Sequence, residues 1–264
     1  MKKIPLYQVD AFGKGIFSGN PAAVCELDEW LPDEVMQKIA AENNLSETAF
    51  LVKDTTMYEI RWFTPKVEVD LCGHATLASA YVLFHFREPH SNKIVFSSKN
   101  SGLLSVEKSD GKLILDFPAD NIVPCEPPKG LLDSFIPLPS ECYKGISDYL
   151  LVFRKQSEVE FLDPNFEVLS EVDVRGVIVT APGDKTDFVS RFFAPSQGIL
   201  EDPVTGSAHT TLTVYWAKRL KKNSLTGEQL SKRKGYLQCT LAGDRVKIGG
   251  IAKLYLAGEI YIDD

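Results

Sequence analysis

Two stretches half a chain apart carry the same layout, and that duplication constrains the fold more than any single residue. In the first, Phe63-Thr64-Pro65 leads through Glu68 and Asp70 into Cys72-Gly73-His74-Ala75, which opens an apolar run from Leu77 to Phe86. In the second, Phe193-Ala194-Pro195 leads through Glu201 and Asp202 into Thr205-Gly206-Ser207-Ala208, which opens another from Leu212 to Leu220. Gly73 and Gly206 lie 133 residues apart (206 − 73) in a chain of 264. The sequence therefore reads as two versions of one unit, residues 1–118 and 119–264.

Each stretch reads as a strand ending in Phe-x-Pro, a loop, and a tight glycine turn at the start of a helix. A helix start leaves about four backbone N–H groups without intrahelical partners and carries roughly half a positive charge, so it can cradle an anion. Two such cradles facing one cleft suit a carboxylate, or an enolate developing from one. A glycine before a helix is by itself only a turn residue. Here both copies also place a polar group, His74 or Ser207, one residue after the glycine, where packing alone does not require it.

The remaining pattern is strand-rich. Ile4 to Phe12 alternates as a strand, Gly15 to Pro21 is a loop, and Ala22 to Leu27 is a short apolar strand. Leu31, Val35 and Ile39 recur every four residues, predicting a helix over 32–43 with Pro32 at its start. Strands are expected at 47–52, 58–63, 93–96, 103–107 and 113–117, the last two joined by the hairpin signal Ser109-Asp110-Gly111. The proline-rich stretch Pro118 to Pro139 reads as an irregular linker between domains. Beyond it, strands are expected at 149–154, 177–180, 188–193, 235–241, 245–248, 252–256 and 259–262. The expected fold class is α+β: two pseudo-symmetric domains, each a curved, mostly antiparallel sheet around one central helix that is apolar on most sides.

Composition excludes several function classes. The net charge of −7 argues against nucleic acid or an anionic membrane as partner. The cationic clusters Lys218-Arg219, Lys221-Lys222 and Lys232-Arg233-Lys234 read as solvated surface, the first of them complementing the dipole at a helix end. The longest apolar run is too short for a bilayer, which needs about 20 residues. Five cysteines without C-x-x-C spacing, and a strand-like pattern directly after Met1-Lys2-Lys3, lead us to expect a reducing cytoplasm. The four histidines lack ligand-like spacing, so no metal is expected.

Among groups able to do chemistry, Glu47 stands out, at the point where the polar loop Asn44-Leu45-Ser46 enters the apolar strand Thr48-Ala49-Phe50. Its position is compatible with an exposed strand-end carboxylate and equally with a partly desolvated one suited to proton transfer. Cys72 at a helix start could be a thiolate nucleophile. A thiol racemase, however, needs two opposed cysteines, and Thr205 occupies the equivalent position, so Cys72 is expected to be buried and inert. Ser207 lacks the G-x-S-x-G frame of a nucleophile elbow.

Phe17-Ser18-Gly19-Asn20-Pro21-Ala22-Ala23-Val24, Asn44-Leu45-Ser46-Glu47-Thr48, Asp70-Leu71-Cys72-Gly73-His74-Ala75-Thr76 and Glu201-Asp202-Pro203-Val204-Thr205-Gly206-Ser207-Ala208 together resemble the PhzF-like, or phenazine-biosynthesis-like, family. The resemblance implies the two-domain fold of diaminopimelate epimerase and a cofactor-independent isomerase working as a homodimer on a small carboxylate. It makes Glu47 the acid/base, with His74, Asp202 and Ser207 assisting. The amides around Gly73 and Gly206 would hold the substrate carboxylate, with Cys72, Thr205 and Asn20 also binding substrate. The alternatives are an amino-acid epimerase or racemase, and a carboxylate-binding protein without turnover. Family membership leaves the substrate open.

Overall fold

The early strands are of two kinds, runs buried on both faces such as β3 (Glu47–Lys53) and strands that alternate. In β4 (Tyr58–Phe63), Tyr58, Ile60 and Trp62 are buried while Glu59 is exposed, the two-residue period of a pleated strand. The computed structural model describes residues 1–263, which divide into two units. The first contains β1 (Lys2–Ala11), β2 (Asn20–Leu27), α1 (Asp33–Asn43), β3 (Glu47–Lys53), β4, β5 (Glu68–Val69), α2 (Gly73–Phe86), β6 (Lys93–Ser98), β7 (Gly102–Ser109) and β8 (Lys112–Pro118) as far as Asp116. The second contains β9 (Val123–Pro124), β10 (Glu141–Lys144), β11 (Tyr149–Val152), α3 (Gln156–Glu160), α4 (Phe166–Ser170), β12 (Val177–Pro182), β13 (Phe188–Phe193), α5 (Gly206–Leu220), β14 (Ser224–Gln229), β15 (Gly235–Ala242) and β16 (Arg245–Gly250) as far as Ile248. The chain ends with β17 (Ala252–Ile262).

Strand directions show the duplication in full. In the first unit β1/β2 is antiparallel, β2/β3 parallel, β3/β4 antiparallel, β4/β6 parallel across α2, and β6/β7 antiparallel. The second unit repeats the series: β10/β11 antiparallel, β11/β12 parallel, β12/β13 antiparallel, β13/β14 parallel across α5, and β14/β15 antiparallel. Each parallel step is a strand–helix–strand crossover, because parallel neighbours cannot be joined by a tight turn. Where β7 and β8 are antiparallel, the link is tight: Asp110 and Gly111 adopt φ of 50° and 73°, as a type I′ hairpin requires.

The central helices are where the repeat concentrates its apolar residues. Ten of the fourteen residues of α2 are buried, and the helix packs against β1, β2, β3, β6, β7 and β17. Its buried hydroxyls satisfy themselves on the preceding turn, Thr76 Oγ1 on the Cys72 carbonyl at 2.6 Å and Ser79 Oγ on that of Ala75 at 2.8 Å. Helix α5 is buried from Ala208 to Ala217 on its inner side and ends in Lys218 and Arg219. Helix α1 packs outside its sheet, with Pro32 as N-cap and left-handed Asn44 as C-cap. Its buried stripe is Met36, Ile39 and Ala40, with Leu31 and Val35 at the margin of the cluster, a rotation of the face expected from the four-residue spacing.

Two expectations are corrected. First, the division falls between Asp116 and Phe117, and the chain from Gly249 onward belongs to the first unit. The reason is β17, one continuous strand where two were expected, which pairs along all of β1 from Ile262 opposite Lys2 to Ala252 opposite Ala11. Second, the proline-rich segment is more than a linker, since Leu131 and Phe135 within it are buried in the second unit's core with Phe153, Leu169 and Phe193. Gly73 and Gly206 are the first residues of their helices, and neither is among the left-handed glycines of the described residues. What their missing side chains supply is bare backbone at the first turn.

Candidate active site

The first-half site is assembled from three chain segments whose geometry is set locally. Gly19, at φ +77°, permits the turn into β2, because a Cβ there would lie 2.2 Å from the Ala11 carbonyl oxygen. The Asp10 carboxylate accepts the Phe17 N–H at 2.8 Å and ties down the same loop. Asn20 follows as the first residue of β2, Glu47 opens the parallel neighbour β3 opposite Ala22, and His74 is the second residue of α2.

These residues meet. His74 Nε2 lies 3.1 Å from Glu47 Oε2, with side chains 5% and 12% exposed. Oε2 is fully buried and accepts no aligned hydrogen bond from the described residues. Asn20 Nδ2 is 3.2 Å from His74 Nδ1, and Cys72 Sγ is 3.4 Å from the same nitrogen. In the neutral imidazole Asn20 donates to Nδ1, leaving the Nε2 proton beside Glu47; in the imidazolium both ring nitrogens are donors, and the Cys72 sulfur is the acceptor within reach of Nδ1. Burial opposes charge on His74, but the negative charge of Glu47 and the hydrogen bonds that its carboxylate and the Cys72 sulfur can accept outweigh it and hold the histidine well above its ordinary pKa. Burial, reinforced by Glu47, pushes the Cys72 thiol up to about 11, so it stays protonated at neutral pH. Of the two settings open to Glu47 in the sequence, the fold takes the desolvated one. It also gathers Glu47, Cys72 and His74 so that their donor atoms lie within 4.8 Å of one another, a set of metal-ligand type that histidine spacing does not reveal.

The second half builds a different knot. The Thr205 hydroxyl donates to Asp202 Oδ2 at 2.5 Å, and the Thr205 N–H donates to Gln229 Oε1 at 2.9 Å. Gln229 Nε2 returns to the Asp202 carbonyl at 2.8 Å. Gln229 was invisible in the sequence because β14, Ser224 to Gln229, has a single large apolar side chain, Leu225. Ser207 stands apart from this knot: it lines a cavity of about 150 Å³ with Asp120, Asp148, Arg175, Thr210 and Thr211. His209, one turn into α5, is fully buried, its Nδ1 donating to the Thr205 carbonyl at 2.8 Å while Nε2 has no partner among the described residues. Burial lowers its pKa to about 4.

Neither N-cap residue, Cys72 or Thr205, makes a side-chain capping hydrogen bond. In α4, by contrast, Asn165 Oδ1 accepts the Val168 N–H at 3.3 Å. Both approach loops are braced alike. Arg61 of β4 grips Glu68 through two bonds of 2.7 Å, and Arg191 of β13 grips Glu201 through bonds of 2.7 and 3.0 Å. Each guanidinium lies over the phenylalanine two residues on, Phe63 or Phe193. The arginines complete a repeat of which the sequence showed only the glutamates.

Comparison with known proteins gives one answer at every level. The family model described as phenazine biosynthesis-like protein matches residues 9–258. An uncharacterized isomerase of Pseudomonas aeruginosa is 50% identical over 260 residues, covering 98% of this chain and all of the relative. The crystal structure of a PhzF-family phenazine biosynthesis protein from Enterococcus faecalis is 47% identical with a TM-score of 0.93, covering 99% of this chain and all of that one. The structure of a predicted epimerase from Pseudomonas aeruginosa, 18% identical and covering 98% of this chain and all of that one, shares the fold at a TM-score of 0.75. The fold is thus the α+β, diaminopimelate epimerase-like one, and the chain is an enzyme of the isomerase class, in which epimerases are included. With the duplicated strand–helix–strand units and the Glu47–His74 site in place, the chain belongs to the PhzF, or phenazine biosynthesis-like, family.

Proposed function

We propose that the protein is a cofactor-independent isomerase that moves a proton within a small carboxylate substrate, with Glu47 as the acid/base. The observation that carries this reading is the desolvated Glu47 carboxylate 3.1 Å from His74, beside the uncapped start of α2. Glu47 takes a proton from carbon and returns it elsewhere on the substrate, His74 steadies the carboxylate and relays charge, and Asn20 orients the imidazole. First-turn amides at a helix start, of the kind Gly73 and Gly206 each open, are suited to a substrate carboxylate and to the enolate that develops from it. Asp202 and Thr205 shape the second cradle. Ser207 assists from the adjoining turn.

A two-thiol racemase is disfavoured by the Cys72 thiol, raised to about 11, and by Thr205 at the corresponding position. Incubation in deuterium oxide with small unsaturated or α-amino carboxylates, chosen by thermal shift, tests the reading. Deuterium entering a bound carboxylate supports it, and binding without exchange would reduce the protein to a carboxylate binder. Activity is expected to survive chelator treatment, and light scattering is expected to report the homodimer that the family resemblance implies. No helix among the described residues is long and apolar enough to cross a membrane.

A further inference from the structure

Cys25, Cys72 and Cys239 are buried, whereas Cys125 and Cys142 are only partly so and lie side by side. Strands β9 and β10 are antiparallel, with Lys144 opposite Val123 and Tyr143 opposite Pro124. One step further in that register puts Cys142 opposite Cys125, whose N–H donates to the Cys142 carbonyl at 3.1 Å. The two sulfurs are 3.7 Å apart. Directly opposed residues of an antiparallel pair have Cα atoms about 4.5–5.5 Å apart, inside the range of about 4.4–6.8 Å that a disulfide spans, so the bond forms by side-chain rotation without moving the strands.

We propose that Cys125 and Cys142 form an oxidant-responsive modification site, at which a small-molecule disulfide of the glutathione type installs an intramolecular disulfide. Cys142 packs against the second unit's core, which holds its side chain back from an incoming disulfide. The first attack is therefore assigned to Cys125. Its thiolate breaks the sulfur–sulfur bond of glutathione disulfide, forming a mixed disulfide and releasing one glutathione thiolate. Cys142 then gives up its proton and attacks the Cys125 sulfur, releasing the second glutathione. The protein sulfurs lose two electrons, which the two glutathiones carry away as thiols.

The bond spans a sequence separation of 17 residues. The loop it closes holds Leu131 and Phe135 in the core and ends at Glu141. The Glu141 carboxylate receives the hydroxyls of Tyr143 and Tyr215 and lies 3.2 Å from Arg219, the last two on α5. Closing this loop stabilises the packing under α5 by restricting the unfolded chain.

The test uses the full-length protein treated with glutathione disulfide, followed by intact mass, peptide mapping with differential alkylation, and thermal melting. The expected product has lost two hydrogens, yields one cross-linked peptide pair containing Cys125 and Cys142, melts about 3–8 °C higher, and reverts with dithiothreitol. Cys142→Ser should stop at glutathione on Cys125, and Cys125→Ser should acquire neither the adduct nor the bond. The proposal is overturned if the wild type stops at a mixed disulfide, if cross-links to Cys25, Cys72 or Cys239 form in equal yield, or if both thiols remain open to alkylation.

Discussion

Glu47 owes its character to two neighbours it does not touch in sequence. The loop-to-strand transition places its carboxylate, but Asn20 and His74, brought in by β2 and α2, supply the surroundings that make it useful. Glu47→Gln is expected to leave the fold intact and ligand affinity within about tenfold while lowering turnover by about 10² or more, the scale of lost acid–base catalysis. Near wild-type turnover in a folded variant would remove Glu47 from the mechanism. Cys72→Ala is expected to change activity by less than about tenfold, because a protonated thiol contributes packing here and no base; complete loss of activity in a folded variant would favour the racemase reading. His209 gives a prediction of opposite character. Its folded pKa of about 4 lies below the ordinary histidine value of 6.5, so the folded state binds fewer protons than the unfolded one between these limits. The stability it contributes is therefore present above about pH 6.5 and lost as the pH falls toward 4, a loss of roughly 3 kcal/mol for a shift of this size. In denaturant titrations at pH 7 and pH 4, His209→Leu should lose less stability between the two than the wild type does; equal losses would show that His209 is not the acid-labile group.

Among the elements, the strand–loop–helix units are held by paired arginines, and the two copies differ in exposure. The Arg191 and Glu201 side chains are 12% and 23% exposed, and Arg191 Nη1 also donates to the Leu162 carbonyl at 2.5 Å and to that of Val159 at 3.2 Å. In the first copy Glu68 is 38% exposed and Asp33, the second partner of Arg61, is 75% exposed. Removing an arginine that leaves a desolvated carboxylate and two carbonyls without donors costs more than removing one whose partners turn to water. Arg191→Ala is thus expected to destabilise by about 2–4 kcal/mol and Arg61→Ala by about 1 kcal/mol or less, as read from urea midpoints; the reverse order would refute this account of the loops. The repeat itself was legible because Phe-x-Pro and the residues around Gly73 and Gly206 recur within a short window. Most strands were legible, β1 from its alternation and others, such as β2, as short apolar runs. Strands β10 and β14 were not, since Glu141-Cys142-Tyr143-Lys144 is too short and Ser224 to Gln229 too polar to alternate, and α3 and α4 are five residues each.

At the scale of the whole molecule, the two ends of the chain share one unit. Strand β17 pairs with every residue of β1 from Lys2 to Ala11, with one irregularity between Gln8 and Val9. A chain ending after Ile251 would leave that edge of β1 unpaired. It is expected to lose protection in the first unit, so that limited proteolysis cuts within residues 1–116 before it cuts within 117–248. Uniform cutting would show that β17 is dispensable. The sequence by itself determined the duplication, the two buried helices, the family, and the candidacy of Glu47, because each is written in residues close together along the chain. Tertiary structure alone decided the rest. It turned Glu47 inward against His74, gave Thr205 to Gln229 and Asp202, separated Ser207 from that knot, put Cys125 against Cys142, and returned the C-terminal strand to the first unit. Each of these depends on which distant strands become neighbours, and a strand's own alternation says which face is buried without saying what lies beside it.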